Sequence, residues 1–148
     1  MSAPTFEKPT TTERLFNRVF GFLVGIGIGL SHNYLLQVRG RKSGRLYSMP
    51  VDVLAYRDSL YLVAPRGMTQ WVRNAQAAGR IALKKGRTRE DFAVHGVADL
   101  NKPEILKAYL DRFTLTVQRY FPVKAGAPVQ SFEPLADRYP VFELVPLE

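Results

Sequence analysis

The sequence predicts an α+β domain that is mainly β: a small barrel of six mostly antiparallel strands with helices at its periphery. Three observations carry this. Six short β-like runs appear in the order helix, three strands, helix, two strands, helix, strand, joined mostly by hairpin-length turns. Sequential hairpins of this kind build a barrel rather than a doubly wound sheet. No G-x-G-x-x-G opens a helix and no Walker lysine loop occurs, so both phosphate-binding signatures of α/β folds are missing. Finally, 148 residues with 46% hydrophobic and 23% charged content suffice for one domain, 1–148, with a real core.

Taken in order, residues 1–9 are polar and carry two prolines, which predicts a flexible tail. Thr10-x-x-Glu13 has the spacing of a capping box and opens an N-terminal apolar helix over 10–30. Leu15, Phe16, Val19, Phe20, Leu23 and Val24 share one stripe of that helix. Its uninterrupted apolar part, Val19 to Leu30, is twelve residues, short of the roughly twenty that a membrane span needs. Glycines at 21, 25, 27 and 29 weaken it further. The helix is therefore expected to pack over the barrel or to lie in a membrane interface.

Strands follow at Tyr34–Val38, Met49–Tyr56 and Leu60–Val63, the last two joined by a turn at Arg57-Asp58. The chain breaks at Ala64-Pro-Arg-Gly67. Met68–Ala78 reads as a helix, with Trp71, Val72 and Ala75 on one face and Gly79 as its stop. Ile81–Leu83 and Phe92–Val97 are strands around a second basic turn, Lys84–Arg89. Asn101 is placed to cap a helix with Pro103 and Glu104 in its first turn, running to about Phe121. A Pro/Gly/Ala-rich loop leads to a closing strand at Tyr139–Val145.

The chemistry concentrates between the first two strands. Val38–Pro50 reads VRGRKSGRLYSMP and holds four cations, Arg39, Arg41, Lys42 and Arg45, with no acid. Glycines on such a turn let amides approach a ligand, and cations there receive phosphate or carboxylate. From Arg39 to Arg89 there are twelve Lys/Arg against Asp52 and Asp58, a net of +10, whereas the rest of the chain nets −2. The overall +8 thus arises in the middle third, which implies an anionic partner for one face. A nucleic-acid module using this face is the last-ranked rival and no nucleic acid is expected as partner, because the aromatics fall in strand and helix cores instead of alternating with the cations. The absence of cysteine excludes disulfides and thiolate chemistry and fits a reducing cytoplasm. His32 and His95 are far apart, so no metal centre or Ser-His-Asp triad is expected. No early apolar core with a small-residue cleavage site is present, so no signal peptide is expected.

Three pieces together resemble the deazaflavin-dependent nitroreductase and quinone reductase family, split β-barrel relatives of the flavin mononucleotide-binding oxidoreductases. They are Gly40-Arg-Lys-Ser-Gly44 followed by Pro50; Tyr61-Leu-Val-Ala64 leading to Arg66-Gly67; and Trp71-Val-Arg-Asn74 with Ala77-Ala-Gly79. The likeness is good over 34–98. It implies a split β-barrel that uses coenzyme F420, an anionic deazaflavin, to pass hydride to a quinone, nitroaromatic or activated alkene. By position, Arg41, Lys42, Ser43 and Gly44 would hold the phosphate and glutamate tail. Ala64, Pro65, Arg66 and Gly67 would hold the phosphate or the ring's edge. Pro50 and Val51 would support the ring, while Trp71 and Asn74 would brace the loop that carries it. Where the family often has an arginine this chain has Tyr47, for which Arg45 would compensate. Pro65-Arg66-Gly67 likewise departs from the family's serine and two glycines. Tyr47 and Tyr120 are candidate proton donors, with ordinary packing as their alternative role. The implied partner is an apolar electron acceptor, and the implied location is cytoplasmic, peripheral at the inner face of the membrane where the N-terminal helix makes contact. Rival readings are flavin mononucleotide (FMN) or haem in the same barrel, or a non-catalytic carrier of fatty acid or lipid.

Overall fold

The computed structural model describes residues 33–147. The expected tail and N-terminal helix, with their membrane-interface reading, lie outside the described residues. Six strands form a closed barrel: β1 Asn33–Arg39, β2 Leu46–Tyr56, β3 Ser59–Val63, β4 Arg80–Lys85, β5 Thr88–Gly96 and β6 Val141–Pro146. Around the barrel the order is β1-β2-β3-β6-β5-β4, and every neighbouring pair is antiparallel. The last strand in sequence therefore sits between the third and the fifth.

Alternation along the strands sorts side chains between two cores. Inside the barrel, Leu36, Val38, Val53, Leu60, Leu62, Leu83, Phe92 and Leu144 interlock with Val72 and Ala75. The next residues along β2 and β3, Leu54 and Val63, face the second core with Val141. There they meet the helical layer: Ile105, Leu106, Tyr109, Leu110, Phe113, Phe121, Phe132, Leu135 and Tyr139. The β2–β3 hairpin turns at Arg57 (φ 47°) and Asp58 (φ 64°), a two-residue loop with both centres left-handed, which matches the twist of its strands.

Helix α1 spans Gln70–Ala78 and stops, as its glycine predicts, at left-handed Gly79, whose N–H bonds to the Ala75 carbonyl at 2.8 Å. Helix α2 spans Lys102–Arg112, with a proline and Glu104 in its first turn. Several sequence expectations need correction. Asn101 makes no side-chain capping bond. The third helix does not continue to Phe121; it breaks at Phe113 (φ −116°, ψ 34°) and resumes as a short helix α3, Thr114–Val117, and a 3₁₀ turn over Gln118–Tyr120. Thr114 explains part of the break, since its hydroxyl donates back to the Leu110 and Asp111 carbonyls at the end of α2 (2.8 and 3.1 Å). The Pro/Gly/Ala loop contains a 3₁₀ segment, Val129–Arg138, that buries Phe132 and Leu135. Strand β2 begins at Leu46 and so takes in residues assigned to the basic turn. No helix among the described residues is long and apolar enough to cross a membrane.

Candidate active site

The turn between β1 and β2 is built before it can bind anything. The Gly40 amide donates to the Arg45 carbonyl (2.8 Å) and the Gly44 amide to the Gly40 carbonyl (3.0 Å), with Gly44 at φ +74°. Ser43 Oγ accepts from the Arg45 amide at 3.1 Å, and Arg39 Nη1 donates to the Gly44 carbonyl at 3.0 Å. A Cβ at Gly40 would lie 2.7 Å from the Tyr47 ring and 2.9 Å from Ser43 Oγ, so only glycine lets that ring close over the turn. Two bonds cross to α1, both to one oxygen. Asn74 Oδ1 accepts both from the Arg41 amide (3.1 Å) and from Arg41 Nη1 (2.7 Å).

Below this turn lies a cleft of about 1040 Å³. Its first wall is the basic turn with the 64–67 segment and the first turn of α1. Gly67, at φ +85°, donates to the Ala64 carbonyl at 3.1 Å. Half-buried Trp71 backs the wall, its ring 6.0 Å from that of Phe142. The second wall comes from β2 and from the α2–α3 corner. There Thr116 Oγ1 donates to Asp52 Oδ2 at 3.3 Å, joining the two. Arg119 Nη2 donates to the Tyr120 hydroxyl at 2.8 Å, and its guanidinium lies 4.9 Å from the centre of that ring. Tyr109 forms part of the cleft wall although it is only 2% exposed. Burial first, then the Asp52 carboxylate and Tyr120, pushes its phenol well above the ordinary tyrosine range, so it stays protonated.

All the predicted site residues line this cleft except Gly44 and Arg45. Arg41, Lys42, Ser43, Pro50, Val51, Ala64, Pro65, Arg66, Gly67, Trp71 and Asn74 are brought together there, with Tyr47 and Tyr120. The side chain of Arg45 instead lies over the Tyr47 ring, 5.7 Å from its centre. Sequence reasoning missed Asp52, Thr69, Tyr109, Thr116 and Arg119. Asp52 carried a signal, being one of only two acids in a strongly basic stretch. Tyr109 carried none, since its helical spacing marks it equally well as core.

The cleft suits an anion. Arg41, Lys42 and Arg66 are exposed along it. The first turn of α1 reaches it through Gln70 and Trp71, and first-turn amides have no partners within their own helix. Thr69, at the head of α1, makes no capping bond, and its buried hydroxyl has no hydrogen-bond partner among the described residues. An orphaned hydroxyl at a helix N-terminus, in a cleft that cations also line, is a donor set suited to a phosphate or carboxylate. Among the described residues no cluster of His, Asp or Glu could hold a metal ion.

The F420H2-dependent quinone reductase family model matches residues 12–121. No curated protein matches the sequence. Among solved structures, the F420-H2 dependent reductase FDR-A is 16% identical, with a TM-score of 0.53 over 77% of this chain and 94% of its own. A NimC/NimA family protein from Clostridium acetobutylicum is 13% identical, with a TM-score of 0.57 over 88% of this chain and 80% of its own. The heme storage protein HutZ from Vibrio cholerae is 10% identical, with a TM-score of 0.58 over 90% of this chain and 91% of its own. At such identities these likenesses show the fold alone, a barrel shared by proteins with different ligands. The family match reaches across the basic turn, the 64–67 segment, α1 and the Tyr109–Tyr120 wall, and on that ground the chain belongs to the F420H2-dependent quinone reductase family, an F420H2-dependent reductase with coenzyme F420 as its cofactor.

Proposed function

We propose that this cleft reduces an apolar quinone, with the cofactor's anionic end on the basic lip and the acceptor against the tyrosine wall. The observation that carries this is the mixed lining of the cleft, which brings the cations Arg41, Lys42 and Arg66 together with Met49, Val117, Tyr109 and Tyr120. When bound, the reduced deazaflavin supplies the hydride. The protein's part is placement and charge. Arg41 and Lys42 neutralise phosphate and carboxylate, and Asn74 fixes Arg41 so that its guanidinium is already oriented. Arg66, through its side chain and amide, holds the phosphate or ring edge, since the Ala64 amide is bonded to the Pro140 carbonyl and the Gly67 amide to the Ala64 carbonyl, with Pro50 and Val51 supporting the ring from the strand. Trp71 braces the segment from behind. Tyr120, hydrogen-bonded by Arg119 at the cleft wall, is the proton donor on the solvent side. Tyr47 closes over the turn instead, its hydroxyl 3.4 Å from Ser43 Oγ.

Anaerobic oxidation of F420H2 by the purified protein tests the acceptor class. A 1,4-naphthoquinone should give the largest kcat/KM, ahead of a nitroaromatic and an activated alkene of similar size. Preference for either of the others, or turnover indifferent to the acceptor, would overturn the quinone assignment.

A further inference from the structure

We infer that Tyr109 is the acceptor's anchor: its hydroxyl donates the hydrogen bond that seats a carbonyl oxygen of the quinone in the cleft. The inference rests on the proposed quinone reading and names the residue that would enforce it.

The placement of Tyr109 is unusual for a core residue. It belongs to the helical core, where its ring meets the edge of Phe113 at 5.5 Å and lies 6.2 Å from Phe121. These contacts fix the ring from the core side. Yet the same residue lines the cleft, and the groups that act on its phenol, Asp52 and Tyr120, are cleft residues too. The ring is thus clamped by aromatics on its core side while the residue borders the cavity. Of the other hydroxyls on this wall, that of Thr116 is taken up by the Phe113 carbonyl (3.1 Å) and Asp52 (3.3 Å), and that of Tyr120, which accepts from Arg119, is the proton route.

A hydroxyl held protonated, on a ring with little freedom, suits an uncharged carbonyl. It donates without ionising and loses little entropy on binding. The bond should also strengthen during the reaction. The quinone gains two electrons and one proton as hydride, leaving negative charge on an oxygen. Tyr109 donates to that oxygen as the charge develops, and the hydroquinone anion then takes one proton on that oxygen from solvent by way of Tyr120, giving the hydroquinone. An acceptor without a carbonyl or comparable acceptor atom would lose this contact and leave the Tyr109 hydroxyl unsatisfied, which is a source of discrimination.

Trp71 is the chain's single tryptophan and lines the same cleft, so its fluorescence reports occupancy without turnover. The experiment titrates wild type and Tyr109→Phe with 2-methyl-1,4-naphthoquinone and with 2-methylnaphthalene, which lacks the carbonyls, with and without oxidised F420. Wild type should bind the quinone more tightly than the hydrocarbon. Tyr109→Phe should lose about five- to tenfold of quinone affinity, as expected for one neutral hydrogen bond, while hydrocarbon and F420 affinities stay the same. Equal affinity of wild type for quinone and hydrocarbon would overturn the anchor whatever the variant does. So would a Tyr109→Phe variant that binds quinone like wild type or weakens for both ligands equally. If the quinone fails to quench Trp71 in wild type at all, the acceptor does not enter this cleft and the proposed function falls with the anchor.

Discussion

Arg41 and Asn74, thirty-three positions apart, meet through a single oxygen: Asn74 Oδ1 takes both the Arg41 amide, at 3.1 Å, and its Nη1, at 2.7 Å. Asn74 is 6% exposed, so this is how an otherwise solvent-facing turn is tied to the helix beneath it. Asn74→Ala should therefore weaken F420 binding by about 1–2 kcal/mol even with every cation intact. A double-mutant cycle with Arg41→Ala, read by F420 fluorescence titration, should show coupling of about 1 kcal/mol or more. Additive losses would mean that Asn74 does not act through Arg41.

Lys42→Ala and Arg41→Ala should each cost roughly 1–3 kcal/mol of F420 affinity, the loss of a charge-assisted contact at an exposed site. Added salt should weaken wild-type binding, and the double variant should respond less steeply because fewer charges remain to screen. Isothermal titration at several ionic strengths checks both. A double variant with wild-type affinity would remove these residues from the binding site.

Gly40→Ala puts a methyl group where the Tyr47 ring now sits, 2.7 Å from its nearest carbon. The ring must swing out, and the turn loses the contact between Ser43 Oγ and the Tyr47 hydroxyl. F420 affinity should fall several-fold in Gly40→Ala and recover substantially in Gly40→Ala/Tyr47→Ala. Absence of recovery would place the damage in the backbone of the turn rather than in the ring.

Tyr120→Phe tests the proton route. Turnover with a quinone should drop about tenfold or more, the solvent deuterium isotope effect on kcat should change, and F420 affinity should not. Unaltered turnover and isotope effect would leave Tyr120 as a wall residue only.

Most of the barrel was legible because its signals are local. The Arg57-Asp58 turn, the Gly79 stop and the alternation of Leu60, Leu62 and Val53 depend on nearest neighbours along the chain. The basic lip was legible for the same reason: Arg41, Lys42 and Ser43 share one turn. What escaped depends on distant contacts. Phe132 and Leu135 sit in a 3₁₀ segment containing Pro134, a pattern with no helical period to read. The break at Phe113 is due in part to Thr114 after it, and beyond it Thr116 meets Asp52, sixty-four residues earlier. Tyr109 looked like core, and it is core; nothing in its spacing shows that the core borders a cavity there. Arg45 and Gly44 differ in the opposite way: adjacent in sequence to lip residues, they do not line the cleft.

Tyr34 supplies a test inside the barrel. It is 2% exposed, its hydroxyl finds no hydrogen-bond partner among the described residues, and burial pushes its phenol up to about 12. A phenol whose pKa is raised on folding contributes stability that is whole below about pH 10, its unfolded value, and is lost as pH rises through the folded value. Wild type should therefore lose stability between about pH 10 and 12. Tyr34→Phe should lose less over that window and at neutral pH should gain about 1 kcal/mol by removing an unsatisfied group. Denaturant midpoints at pH 7 and 11 check this; a variant less stable at both would show that the hydroxyl has a partner.

The position of β6 has a consequence for the growing chain. Leu60–Val63 and Phe92–Gly96 both hydrogen-bond to a strand that the ribosome delivers some fifty residues after the second of them. Until Val141–Pro146 emerges, two apolar strand edges face each other across a missing stave. Such edges are templates for pairing with other chains. A nascent chain stalled in the Val129–Arg138 segment would thus be a poor folding unit, however complete its basic turn, and chaperone dependence during synthesis should concentrate in that interval.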